Sequence, residues 1–182
     1  LMNKDWANIA NGILEQNNNR KIFIYTNGTI APKDDQLQTF KGKNVTFIIT
    51  SYGKLSRNLE QLTQKLINHN IAYYSNPADN WIDCSSIRHH KRKVSDLEEV
   101  FKQCCVKYIY TLLHGKLYRC PFIANADNLN AIPDNPANYV DLFSKKDDIK
   151  QQIRRLVKVA KFFPACDFCD GRPYDPSSSK GY

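Results

Sequence analysis

The sequence lacks any run of eighteen or more apolar residues, so it offers no candidate for a transmembrane helix. Its first residues, Leu1 to Trp6, have neither the basic start nor the apolar stretch of a signal peptide. It also has no internal repeat and no low-complexity tract. These absences argue against membrane and repeat architectures and predict a cytoplasmic protein with no membrane partner.

The composition is that of a soluble globular protein, because 42% of the 182 residues are hydrophobic and 24% are charged. This length allows one ordinary domain or two small ones. The net charge of +8 suits contact with phosphates, anionic substrates or acidic partner surfaces. The densest basic run, residues 88–93, has no interleaved aromatic residue to stack on bases. We therefore interpret it as a solvated loop leading into a helix and do not expect nucleic acid as a partner.

Short apolar runs alternate with helical patterns in the first half of the chain. A helix is predicted around residues 6–14, a short one over 34–40 and a longer one over 55–67, with strands at 22–25, 45–50 and 71–74. Such alternation is typical of βαβ units with a parallel sheet, whose ligands bind at the carboxyl ends of the strands. Those ends are Thr26-Asn27-Gly28, Ser51-Tyr52-Gly53 and Ser75-Asn76. A binding rim and plain turns both fit these residues.

The alternation of predicted strands and helices changes after residue 77. Ser95 with Glu98 resembles a capping box that opens a helix ending near residue 104. Residues 106–113 and 116–119 then form the predicted strands of a β-hairpin around His114-Gly115. Residues 121–143 show no clear period and are predicted to be a loop. Ser144 and Asp147 precede the last amphipathic helix, over residues 149–160.

The six cysteines suggest metal or redox chemistry, because cytosolic thiols are kept reduced and clustered cysteines there usually bind metal. Cys166 and Cys169 have the Cys-x-x-Cys spacing that lets one turn bind one metal centre. The hairpin can supply two more ligands at its open end, one of them Cys120.

The other hairpin ligand is Cys104 or Cys105, and only one of them, because adjacent side chains point apart. We favour Cys105. Cys84 has no partner at useful spacing and is interpreted as a small core residue or an idle one. Four cysteines bind either tetrahedral zinc or an iron-sulfur cluster, and the spacing alone does not separate the two.

The order Cys105, nine residues, Gly115, four residues, Cys120, followed by a helix and a Cys-x-x-Cys, resembles the SPASM or "twitch" auxiliary-cluster domain of radical SAM enzymes. Full SPASM domains have further cysteines for a second cluster, and this chain has none after Cys169. The resemblance is therefore to the single-cluster version. It implies a 4Fe-4S cluster with Cys105, Cys120, Cys166 and Cys169 as ligands.

The upstream half is similar to the radical SAM barrel. Residues 21–28, ending in Thr-Asn-Gly, resemble its fourth strand and residues 48–53 its fifth. The resemblance implies an α/β fold in which residues 1–94 form the C-terminal half of a partial (β/α) barrel with parallel strands. Residues 95–182 would be a small α+β cysteine-rich domain built on a β-hairpin and a helix. It also implies S-adenosylmethionine binding near Thr26, Asn27, Ser51 and Arg57.

One departure limits the resemblance: the chain contains neither the Cys-x3-Cys-x2-Cys of the catalytic cluster nor the Gly-Gly-Glu motif. The resemblance thus implies part of a longer enzyme, inactive alone. Its partners would be a peptide, protein or small-molecule substrate and a reductant protein such as flavodoxin or ferredoxin. The alternative is a zinc-stabilised, non-enzymatic module that binds nucleic acid or acidic protein.

Overall fold

A computed structural model describes residues 1–16, 21–79, 86–144 and 148–171 of the chain. The chain divides into two compact units, Leu1–Trp81 and Ile82–Tyr182, whereas the sequence suggests a division between residues 94 and 95. The second unit starts earlier because the basic run packs within it. No helix in the described ranges is long and apolar enough to cross a membrane.

The first unit is a three-stranded parallel sheet with helices between its strands. Its elements in chain order are α1 (Trp6–Gln16), β1 (Ile22–Thr26), α2 (Asp34–Gln38), β2 (Val45–Ser51), α3 (Leu59–Asn68) and β3 (Ala72–Pro77). The strands lie in the order β1-β2-β3. The predicted parallel strands are confirmed. The predicted helix over 55–67 begins later, because a 3-10 turn at Gly53–Leu55 precedes α3.

One face of this sheet forms the core of the first unit. Val45, Phe47 and Ile49 alternate along β2 and are all buried, and they belong to one apolar cluster with residues of α1, α2 and α3. The helices therefore cover a single face. On the opposite face Phe23 is 48% exposed and Tyr25 73%. The sheet thus leaves one aromatic face open.

The second unit combines a small antiparallel sheet with short helices. Its elements are α4 (Val94–Gln103), β4 (Thr111–Leu113), β5 (Lys116–Tyr118), α5 (Pro121–Asn128), β6 (Tyr139–Asp141) and α6 (Ile149–Arg154), which continues as a π-helical turn to Val159. The strand order is β4-β5-β6. The protein is therefore a mixed α/β structure with a parallel and a separate antiparallel sheet, and neither sheet closes into a barrel within the described residues.

Several local predictions for the second unit are wrong. The predicted loop over 121–143 holds α5 and β6, because Pro121 at the first helical position and the Cys120 sulfur at the N-cap start a helix too short to show a period. The first hairpin strand begins only at Thr111, since residues 105–108 form turns. Lys93, not Ser95, is the N-cap of α4. Asp147 lies outside the described residues.

The two faces of the parallel sheet predict different responses to truncation of a phenylalanine. Phe47 is fully buried, so Phe47→Ala should lower the free energy of unfolding by about 3–5 kcal/mol. Phe23 lies on the neighbouring strand and on the open face. Phe23→Ala is therefore the matched control and should lower the free energy of unfolding by less than about 1 kcal/mol. Urea denaturation followed by circular dichroism measures both. Equal losses of unfolding free energy in the two variants would contradict a core on only one face of the sheet.

Candidate metal centre

Four cysteines from three separate segments line one small cavity in the second unit. Cys104 is the C-cap of α4, and Cys120 follows the hairpin as the N-cap of α5. Cys166 lies in a 3-10 turn, Pro164–Phe168, and Cys169 follows it directly. The rest of the lining is mostly apolar and comprises Val100, Phe101, Val106, Lys107, Arg119, Phe122, Ile123, Ala165 and Gly171.

The structure puts Cys104 at this cavity and leaves Cys105 out of its lining. The two residues are adjacent, so their side chains point in different directions, as expected from the sequence. Cys104 ends α4 in an extended conformation, with ψ of 123°. The prediction that Cys105 is the second hairpin ligand stays a prediction, since a place in the cavity lining is not itself a bond to a metal. Cys84 lies outside the described residues.

Backbone N–H groups donate hydrogen bonds to cysteine sulfurs at this cavity. Ile123 N donates to Cys120 Sγ over 3.4 Å, and Gly171 N donates to Cys169 Sγ over 3.4 Å. Cys120 also lies at the positive end of α5, where a helix stabilises negative charge. Both contacts favour the thiolate form that metal binding requires.

The thiols of Cys120 and Cys166 have raised pKa values and so hold their protons at neutral pH. Burial, with smaller contributions from the neighbouring sulfurs, raises the pKa of Cys166 to about 12 against the opposing backbone hydrogen bond of Phe163. Burial likewise raises the pKa of Cys120 to about 11, against the opposing hydrogen bond from Ile123. A metal centre here would displace these protons, so its affinity should increase with pH.

The basic segment, residues 88–93, holds the cysteine turn, residues 166–169. Arg92 Nη1 donates to the carbonyl oxygens of Cys166 (3.0 Å) and Cys169 (2.8 Å). The backbone N of Arg92 also donates to Asp167 Oδ1 over 2.9 Å. A single half-buried guanidinium thus fixes the spacing of the Cys-x-x-Cys backbone from outside the cavity.

Other residues of the basic segment hold the two residues between the cysteines. His89 Nε2 lies 2.9 Å from Asp167 Oδ2, and the His89 ring stacks on Phe168 with 4.8 Å between ring centroids. The segment does lead into α4 as the sequence predicts, but it is also a structural partner of the cysteine turn. Composition could not reveal this, because Arg92 and Cys166 are 74 residues apart in the chain.

The four cysteines line one cavity but are not grouped as a finished metal site. Among the described residues no three His, Cys, Asp or Glu side chains are grouped so that they could hold a metal ion. Tetrahedral zinc would need its sulfurs within about 4 Å of one another. A four-iron cluster holds its thiolates farther apart, because each binds a different iron. The enclosed space is about 30 Å³, so a cluster would have to spread the cavity walls on loading.

A second candidate site lies in the first unit, at the carboxyl ends of β1 and β2. Thr26 and Asn27 line an open groove of about 370 Å³, together with Leu1, Met2, Tyr25, Thr29, Ile30, Thr50 and Tyr52. Ser51 and Arg57 are not in its lining, and Arg57 is exposed. The sequence thus indicates the strand ends but misses the aromatic and aliphatic residues of the groove.

The loops at this groove are tied together by hydrogen bonds. Ser56 Oγ donates to the carbonyl oxygen of Asn27 over 2.6 Å, and Asn58 Nδ2 donates to that of Thr29 over 2.7 Å. Gly28 has a φ of +70°, a conformation that favours glycine. The loop after β1 is therefore held in one position by the loop after β2.

Comparison with protein-family models, with curated proteins and with solved structures found no match to this chain.

The Arg92 contacts predict that this side chain controls access to the cysteine turn. Arg92→Ala should lower the free energy of unfolding of the second unit by about 1–3 kcal/mol, because two carbonyl oxygens lose a charged donor. It should also speed the reaction of the thiols with a disulfide reagent. Arg88→Ala is the control, since Arg88 is 63% exposed and makes one long ion pair of 3.4 Å. Identical thiol reactivity in both variants would argue against the role of Arg92.

Proposed function

We propose that this chain is the C-terminal part of a radical SAM enzyme and that its second unit carries one auxiliary 4Fe-4S cluster on Cys104, Cys120, Cys166 and Cys169. The observation that carries the proposal is the convergence of four cysteines from three segments on one cavity. Half-buried thiols without a ligand would not need backbone N–H donors, a helix N-terminus and the hydrogen bonds of Arg92 to the cysteine turn.

The first unit supports the same proposal. Its strands follow in sequential order with the helices on one face, which is the arrangement of a (β/α) barrel segment rather than of a doubly wound sheet, whose order reverses. The open face, with Phe23, Tyr25 and Tyr74 exposed, would then face the interior of a barrel. The groove at the strand ends lies where barrel enzymes bind their ligands.

S-adenosylmethionine would bind at this groove, and when cleaved it supplies a radical for hydrogen abstraction from a substrate. Thr26 and Asn27 are the residues of this chain that would contact it. Ser51 and Arg57 are weaker candidates, because neither lines the groove. The electron for cleavage would come from a catalytic cluster on a motif that these 182 residues do not contain.

The roles of the second unit follow from its own residues. Four thiolates would bind the cluster irons, after losing their protons on loading. Arg92 orients the Cys166 and Cys169 backbone, and the apolar lining restricts water. In such an enzyme the auxiliary cluster would pass electrons or bind the substrate, which would be a peptide, a protein or a small molecule. A reductant protein of the flavodoxin or ferredoxin type completes the expected partners.

Anaerobic reconstitution with iron and sulfide tests the proposal. The wild-type chain should turn brown and take up about four irons. Cys120→Ala and Cys104→Ala should each lose most of this iron, because three thiolates hold a cluster poorly. Cys105→Ala is the matched control for Cys104→Ala, being the adjacent residue outside the cavity lining, and should load like wild type. Cys84→Ala should also leave loading unchanged.

Two other outcomes would contradict different parts of the proposal. A colourless chain that binds one zinc through the same cysteines would support the zinc-stabilised binding module instead. Loss of iron in Cys105→Ala but not in Cys104→Ala would return the ligand set to the one that the sequence favours.

A further inference from the structure

The edge of the antiparallel sheet at β4 carries an apolar surface that none of the roles above uses. Tyr108, Ile109 and Tyr110 directly precede β4, and Leu112 lies within it. These four residues, which we call the 108–112 patch, are all exposed, Tyr108 at 70% and Leu112 at 64%. Single exposed apolar residues are common, but a contiguous exposed patch marks a site of interaction.

The backbone of β4 is open along the same edge. In the strand order β4-β5-β6, β5 is the only strand beside β4 within the described residues. The two-residue turn His114-Gly115, with positive φ at both residues, joins the two strands. Such a turn makes Leu113 and Lys116 a hydrogen-bonded pair. The next pair, Leu112 and Leu117, is then not hydrogen-bonded. The N–H and C=O groups of Leu112 therefore point away from β5, toward the outer edge.

Helix α5 lies on the other face of this hairpin. Lys116 and Tyr118 of β5 both donate hydrogen bonds to Asp127 of α5. They flank Leu117 in the strand, so their side chains are on the face opposite to that of Leu117 and its partner Leu112. The exposed Leu112 side chain and the outward backbone groups of β4 are thus accessible together.

The charge around the patch is positive. Residues 100–120 include three lysines and one arginine but no aspartate or glutamate. The Lys107 ammonium lies 5.4 Å from the ring centroid of Tyr108. Behind the patch, the buried Arg119 guanidinium lies 4.5 Å from the ring centroid of Tyr110. This arrangement of cations favours a partner with negative charge.

An extended acidic segment fits these features better than other occupants do. A second copy of the chain would bring the same cations together across the edge, which is unfavourable. A lipid surface would leave the outward N–H and C=O groups of Leu112 without hydrogen-bond partners. An added strand would pair with both groups, and its acidic side chains would be attracted to Lys107.

We infer that the β4 edge and the 108–112 patch bind an extended acidic segment of another protein, which adds to the sheet as a strand beside β4. This inference goes beyond the proposed function and does not require the cluster. The competing explanation is that β4 is a protected edge, because very short edge strands are one way in which proteins avoid pairing with other chains.

Selection of short random peptides from a displayed library against the full chain, without metal, tests the inference. The selected peptides should be enriched in aspartate and glutamate alternating with apolar residues, because alternate side chains of an added strand share one face. Fluorescence anisotropy then measures their dissociation constants. Binding should weaken as salt is added, because salt screens attraction between exposed charges.

Variants at Leu112 separate the backbone contact from the side-chain contact. Leu112→Pro removes the outward N–H group and should weaken binding at least about tenfold. Leu112→Ala keeps this group and should weaken binding less. Leu129→Ala is the matched control, because Leu129 is 68% exposed at the end of α5. It should bind the peptides like wild type.

A second pair of variants tests the charge. Lys107→Glu should weaken binding at least about tenfold, because it replaces attraction by repulsion beside Tyr108. Lys150→Glu is its control, since Lys150 is an exposed lysine of α6. Helix α6 packs against β6, the strand at the opposite edge of the sheet. This variant should bind like wild type.

Circular dichroism checks the folding of each variant, and if Leu112→Pro does not fold, Leu112→Ala and Lys107→Glu decide. Selected peptides that bind Leu112→Pro and Lys107→Glu as tightly as wild type would overturn the inference, and so would a selection that yields no binding peptide. A dimer in sedimentation equilibrium that Leu112→Pro abolishes would identify a second copy as the occupant instead. Failure to load iron would count against the proposed function alone.

Discussion

The second unit depends on bringing four half-buried cysteines to one cavity where three chain segments meet. None of its elements is stable alone, because its strands have three residues each and its helices are short. Cys120 and Cys166 pack against the same apolar cluster as Ile123, Leu156 and Phe163. The cavity is thus part of the hydrophobic core, so a centre bound there would join α4, the hairpin and the cysteine turn directly. Metal binding and folding of this unit should therefore be coupled.

The first unit has the opposite character, since its core is complete on one face of the sheet and absent on the other. Purely parallel sheets are normally covered on both faces. The open face carries Phe23, Tyr25 and Tyr74. Covering these large side chains would be favourable, because it would remove apolar surface from water. A barrel interior would account for this face, with substrate and cofactor at the strand ends. In the proposed barrel, the open face and the groove at the strand ends would both border its interior.

The parallel strands could be predicted because β-branched and aromatic runs of the right length stand between clear turn signals. The bounds of the hairpin are harder to predict, because its first strand has only three residues. The stretch before it, Val106–Tyr110, is apolar but is not a strand. Helix α5 was missed because its start is set by Pro121 and a cysteine cap rather than by periodicity. The contact of Arg92 with the cysteine turn, like the position of Arg119, depends on tertiary packing that local patterns do not encode.

Cysteine spacing does not separate zinc from an iron-sulfur cluster, so the proposed cluster is supported by the surroundings of the sulfurs. Zinc has no redox chemistry and needs only four closely grouped donors, so nothing around it has to tune an electron affinity. The cysteines here lie around a shared cavity without grouping as ligands of one ion. The sulfurs of Cys120 and Cys169 accept hydrogen bonds from backbone N–H groups. Hydrogen bonds to sulfur and local charge are the factors that set iron-sulfur potentials. The hydrogen bonds to Cys120 and Cys169 would therefore tune the potential of the proposed cluster.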